Sequence, residues 1–148
     1  MKIDPALAEV HCLAIDTAPI IYFVEKHPRY DVVVAEFFRR IDEGRLKAVT
    51  SVITLTEVLV HPLRMGRVDL KERYLTLLSA SDNFSLLPIE IWVAEQAADL
   101  RARFNLRTPD AIQLAVAISA GCDAFLTNDK RLRAVSLLNV IVLDDIVV

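Results

Sequence analysis

Glycine is scarce, with three residues in 148, so long flexible linkers are excluded. No Gly-rich phosphate loop is present either, which removes P-loop and dinucleotide-binding readings. There are two cysteines, Cys12 and Cys122, with no CxxC spacing. Both sit beside apolar residues and are expected to be isolated, buried free thiols, which makes the cytoplasm the default compartment. His11, His27 and His61 are scattered without metal-ligand spacing. The aromatic residues, Trp92 included, show no interleaving with basic residues of the kind that single-strand binders use for stacking.

Long apolar runs are missing too. Leu114–Ile118 and Pro19–Val24 fall far short of the ~18 residues that a membrane span needs. The opening Met1–Val10 carries Asp4 and Glu9 and lacks a basic region followed by an apolar core, so it does not read as a secretory signal. A basic excess is also lacking. The chain has 17 Lys+Arg against 20 Asp+Glu, a net charge of −3. That balance counts against a nucleic-acid binder unless bound cations offset some acids and the bases cluster on one face.

What the chain has is apolar surface. Hydrophobic residues make up 54% of it, and mean hydropathy is +0.39. Strands buried on both faces, or a partner covering an apolar patch, would account for the surplus. The length argues for one domain over residues 1–148, able to fold without disulfide or structural metal.

Apolar periodicity alternates between strand-like and helix-like. Strands are expected at Cys12–Ile15, Leu46–Thr50, Phe84–Ile89, Ala124–Thr127 and Val140–Leu143. Helices are expected at Thr17–Lys26, from Pro28 to about Glu43, and from a Ser51 cap to about Val60, ended by His61-Pro62. Three more follow: an Asp69-capped helix to Leu78, then Glu90–Phe104, then one capped by Thr108, with Pro109 first in the helix and Gly121 beyond its end. This order implies an α/β fold with a mostly parallel sheet of about five strands, covered by helices on both faces.

Four carboxylates stand out. Asp16 and Asp129 follow the first and fourth strands, and sites in open α/β sheets form outside the carboxyl ends of strands. Glu57 lies about one and a half turns into the helix after the second strand, a lone acid in Val52–Val60. Asp110 is in the first turn of its helix. If the strands are neighbours, all four converge. Like charges ~4 Å apart repel by about 4 kcal/mol at an effective dielectric near 20, so a cation must enter or some groups must protonate. Oxygen ligands without nearby Cys or His select Mg²⁺ or Mn²⁺ over Zn²⁺, ions suited to hydrolysing a nucleic-acid backbone. Taken singly, each acid has a plainer use. Asp16 can cap a helix, Asp110 can favour a helix dipole, and Asp129 can belong to a turn.

The segments AIDTAPIIYFVEKHP, TSVITLTEVLVHPLRMGR, LRTPDAIQLAVAISAGCDAFLTNDKRL and NVIVLD, in this order, resemble the PIN-domain nucleases, and among them the VapC-like toxins of toxin–antitoxin pairs. The resemblance covers about Leu13 to Leu143 and leaves residues 1–11 as an N-terminal extension with no assigned function. Asp16, Glu57, Asp110 and Asp129 match the family's four acidic positions. Thr17 and Thr127 fall where small hydroxyl residues are common and can orient the acids, or merely cap locally. The resemblance implies a PIN-like three-layer sandwich and a Mg²⁺- or Mn²⁺-dependent endoribonuclease, a hydrolase of RNA phosphodiester bonds. It further implies a homodimer and a small antitoxin that covers the site.

The antitoxin patch is expected on the early helices (Ile20, Ile21, Phe23, Val33, Phe37, Phe38), although core packing would claim most of these. Arg64, Arg67, Lys130, Arg131 and Arg133 are expected either to contact phosphates or to form ordinary solvated surface. The competing readings are a non-toxin nuclease of the same fold, a phospho-acceptor receiver domain using Thr127 and Lys130, and a non-catalytic interaction module.

Overall fold

A computed structural model of the chain describes residues 1–148. Five strands, β1 (Cys12–Ile15), β2 (Lys47–Ser51), β3 (Phe84–Leu87), β4 (Ala124–Thr127) and β5 (Asn139–Val142), form one sheet of order β3-β2-β1-β4-β5. Every pairing is parallel. Ala14 of β1 registers with Val49 of β2 on one side and Phe125 of β4 on the other. The chain starts at the centre of the sheet, runs outward to β3, then returns to place β4 on the other flank of β1. The strand order therefore reverses between β1 and β4, where open α/β sheets leave a crevice at their carboxyl edge.

Seven helices cover the sheet: α1 (Ile3–Ala6), α2 (Thr17–Val24), α3 (Asp31–Asp42), α4 (Val52–Arg64), α5 (Val68–Ala80), α6 (Ile91–Phe104) and α7 (Thr108–Ser119). Successive strand residues point to opposite faces, so the strands feed two separate apolar layers. Leu13, Ile15, Ala124 and Leu126 pack with Ile20, Phe37, Val58, Leu70 and Tyr74 from α2, α3, α4 and α5. Ala14, Val49 and Phe125 pack on the opposite face with Val93, Leu100, Leu114 and Val116 from α6 and α7. Strands buried on both faces absorb much of the apolar surplus. Ile20, Phe37 and Phe38 are core residues, while Ile21, Phe23 and Val33 are half-buried against the same layer.

Several boundaries differ from the periodicity reading. The α4 helix does not stop at His61-Pro62 but continues through a buried Pro62 to Arg64. The missing proline N–H costs one ladder bond. The last turn is closed by the Met65 N–H on the His61 carbonyl and the Arg67 N–H on the Pro62 carbonyl. Helix α3 begins at Asp31 rather than Pro28, because His27–Tyr30 form a turn whose His27 carbonyl accepts from the Asp31 N–H. Arg107, not Thr108, is the residue preceding α7, and Asp69 lies inside α5 paired to Arg67 instead of capping it.

Residues 1–11 are part of the packing. Ile3, Leu7 and Val10 are buried in the α2–α5 layer, and Lys2 bridges to Val147. Cys12 and Cys122 are both free, but not isolated: their sulfurs lie 3.0 Å apart, and Cys12 is half-buried rather than buried. No helix is long and apolar enough to cross a membrane.

Candidate active site

The four acids arrive on four different segments and line one cavity of about 420 Å³ at the carboxyl edge of the sheet. Thr17, Tyr22, Arg107, Thr127, Asn128 and Lys130 complete most of its wall.

Asp16 leaves the end of β1 and caps α2, accepting the Thr17 N–H at Oδ1 (2.8 Å). Its Oδ2 accepts the Thr127 hydroxyl at 2.7 Å from the end of neighbouring β4. Burial pushes the Asp16 carboxyl above the usual carboxylate range. The hydrogen bonds from Thr127 and Thr17 oppose this, while the nearby charges of Asp110 and Glu57 push the same way. Thr127 also accepts the Asp129 N–H at 3.1 Å, so one buried hydroxyl orients both strand-end acids. Glu57 projects from α4 and accepts the Thr17 hydroxyl at 2.8 Å.

Two acids carry their own counter-ions. Arg107 Nε donates to Asp110 Oδ2 at 3.0 Å. Arg131 forms a fork on Asp129, from Nε to Oδ1 at 3.0 Å and from a terminal nitrogen to Oδ2 at 2.7 Å. That guanidinium holds the Asp129 carboxyl below the ordinary range, against opposing burial. The repulsion expected from the sequence is thus relieved partly within the protein. With the arginines seated, no three His, Cys, Asp or Glu side chains form a ready-made ion site.

Beneath the acids lies a buried polar network. Gln113 is 3% exposed; its amide nitrogen donates to the Thr54 hydroxyl at 2.6 Å, and its carbonyl accepts the Ser51 hydroxyl at 2.6 Å. The Thr54 oxygen lies 3.0 Å from that of Thr17 and 2.9 Å from that of Thr50. The network ties α7, α4 and α2 together under Glu57 and Asp16. Sequence reasoning missed Gln113 and Thr54. The available signal was Gln113 itself, a lone amide in the run Ala111–Ala117, one turn beyond Asp110 and on the same helix face.

Among the basic residues singled out, Lys130 lines the cavity and Arg131 holds Asp129. Arg67 pairs with Asp69 and Arg133 with Asp145, so both are directed to other carboxylates. Arg107, not anticipated, stands in the cavity wall.

The sequence profile of the PIN domain matches residues 13–138. The chain belongs to the PIN domain family. Its fold agrees with this. A chain of a VapBC complex from Rickettsia felis, bound to promoter DNA, superposes with a TM-score of 0.70 at 13% identity, covering 88% of this chain and 97% of that one. A chain of a toxin–antitoxin complex from Klebsiella pneumoniae gives 0.67 at 23%, covering 88% and 97%. A sarcin-ricin loop cleaving toxin from Mycobacterium tuberculosis gives 0.68 at 15%, covering 84% and 95%. None of the curated proteins compared matches the chain by sequence. In this PIN domain Asp16, Glu57, Asp110 and Asp129 all lie on one cavity.

Proposed function

We propose that the chain is a metal-dependent endoribonuclease, the toxin member of a toxin–antitoxin pair. The observation that carries this reading is the convergence of Asp16, Glu57, Asp110 and Asp129 on one cavity in a PIN domain. The donors are all oxygens, which suits Mg²⁺ or Mn²⁺. Asp16, Glu57, Asp110 and Asp129 would hold the ion; Asp110 and Asp129 are paired with Arg107 and Arg131, whereas Asp16 and Glu57 have no arginine partner. Such an ion supplies Lewis-acid neutralisation of the phosphodiester. The chain's own contribution is orientation. Thr127 and Thr17 fix the carboxylates, and Lys130 and Arg107 offer positive charge to the flanking phosphates.

The test is cleavage of RNA by the purified, partner-free protein with Mn²⁺ or Mg²⁺. Asp16→Asn, Glu57→Gln, Asp110→Asn and Asp129→Asn are each expected to abolish it. A wild-type sample that cuts no RNA with either ion would overturn the reading and favour an interaction module.

The antitoxin partner is supported by the superposed chains that come from toxin–antitoxin complexes, and by a groove of about 720 Å³ in which Phe23, Val24 and Leu77 alternate with charged side chains such as Lys26, Glu72 and Arg73. A short reading frame immediately upstream, encoding a DNA-binding protein that co-purifies with this chain, is the expected finding. Homodimerisation is supported by large apolar side chains left in solvent, such as Ile91 (82% exposed) and Trp92 (58%), and sedimentation would measure it.

A further inference from the structure

The carboxylate cavity has an aromatic wall that the sequence alone does not reveal. Tyr22 of α2 lines it together with Asp16, Asn128 and Lys130. The Tyr22 ring stacks on Tyr30, with centroids 4.7 Å apart and planes at 17°. His27 closes the group, 4.7 Å from Tyr22 and 4.9 Å from Tyr30, and the Arg29 guanidinium lies 5.2 Å over the Tyr30 ring. Basic and aromatic residues therefore do interleave through the turn after α2, and Tyr22, Lys26, His27, Arg29 and Tyr30 do so along the chain as well, contrary to the expectation from the sequence.

This wall is held rigid by the site. Tyr30 is buried and donates its hydroxyl to Asp144 at 2.5 Å. Asp144 pairs with Arg29 at 3.2 Å and faces the Lys130 ammonium at 4.0 Å. Its N–H donates to the Asn128 side chain at 3.2 Å. Lys130 and Asn128 line the same cavity as the acids, so one network fixes Tyr30, and Tyr30 backs Tyr22. A side chain ordered in advance loses little entropy when a ligand arrives. Tyr22 itself is half-buried, anchored against the α2–α5 layer.

We propose that Tyr22 is the stacking platform for one unpaired RNA base next to the scissile phosphate. This rests on the nuclease reading. Positive charge for the backbone beside an aromatic face for the base is the combination that single-strand sites use. A base inside a duplex is already stacked and paired, and must be unstacked and unpaired before it can reach the ring. The cavity, at about 420 Å³, is near the low end of the ~300–1,000 Å³ range of small-ligand sites and has room for a nucleotide.

The experiment compares wild type, Tyr22→Phe and Tyr22→Leu on a short single-stranded RNA, the same RNA paired to its complement, and versions abasic at each nucleotide flanking the cut. KM and kcat are measured with Mn²⁺. Affinity is measured by fluorescence anisotropy with Ca²⁺ in place of the active ion. Tyr22→Leu is expected to raise KM and Kd about tenfold with kcat little changed, and Tyr22→Phe to behave as wild type. One abasic substrate should show the same loss with wild type and no further loss with Tyr22→Leu, because the two changes remove one contact. Equal cutting of duplex, an unchanged KM in Tyr22→Leu, or abasic losses that multiply with the substitution would each overturn the platform while leaving the nuclease reading intact. A wild type that cuts no RNA would overturn both. The abasic arm decides the matter even if Tyr22→Leu fails to fold.

Discussion

The hydroxyl of Thr127 donates to Asp16 across 2.7 Å, joining the carboxyl ends of two neighbouring strands whose residues lie 111 positions apart. The same hydroxyl accepts the Asp129 N–H, so a single side chain sets two of the four acids. Thr127→Val keeps the shape and deletes both bonds. RNA cleavage is expected to fall about 10- to 100-fold, the usual cost of losing a partner that orients a metal ligand. Thermal melting should show the fold intact, and a melting temperature collapse would instead make Thr127 a structural tie.

Asp16→Asn separates a site built for charge from a structural one. Asp16 has its carboxyl raised in the folded state, mainly by burial, so between its unfolded value near 3.8 and the raised value the folded chain binds more protons than the unfolded one. Stability therefore falls as pH rises through that window, and the penalty is fully present above it. Metal-free Asp16→Asn should melt at or above wild type at pH 7, and the difference should shrink toward pH 4. Added Mn²⁺ should raise the melting temperature of wild type and do much less for the variant. Melting curves across pH, with and without Mn²⁺, give the answer.

Gln113→Leu removes a buried amide and takes the acceptor from the Ser51 hydroxyl, while Thr54 keeps its contacts to Thr17 and Thr50. An orphaned buried group costs about 1–3 kcal/mol. A loss of roughly 1–3 kcal/mol is expected in urea unfolding with an unchanged m-value. A neutral result would mean that the hydroxyls re-pair among themselves.

Arg131→Ala should do little to the fold. The Arg131–Asp129 pair is largely exposed on the arginine side, so it adds little to stability. Asp129 is depressed in the folded state, so this contribution is present above the unfolded value near 3.8 and is lost as pH falls through the lower folded value. Under the metal reading the variant frees a carboxylate, and calorimetric titration should show Mn²⁺ binding tightened several-fold. Weakened binding would instead assign Arg131 a role in presenting Asp129 to the ion.

The sheet was legible in the sequence because short β-branched and apolar runs ended at polar residues in regular alternation with helical patterns. Ala124–Thr127 was bounded to the residue. Asp16, Asp110 and Asp129 were legible because each stood at a strand end or a helix start, where topology decides location, and Glu57 because it is the lone acid in Val52–Val60. What escaped was whatever depends on through-space neighbours. Pro62 looked like a stop because local rules see the missing N–H and not the burial of its ring. The pairing of Asp110 with Arg107 and of Asp129 with Arg131 could not be told from ordinary surface charge. The Tyr22–Tyr30 stack depends on the turn at His27–Tyr30, of which the sequence pattern assigns Pro28–Tyr30 to helix α3.

Strand β1 is only four residues long, yet it lies at the centre of the sheet and ends at Asp16. A slip of one residue in its pairing would send Leu13 and Ile15 to the layer now holding Ala14, and would draw Asp16 away from the Thr127 hydroxyl. The alignment that packs both layers is therefore also the alignment that assembles the cavity. A chain that has docked only one helical layer lacks the check on that alignment, so the four acids come together only when folding is complete.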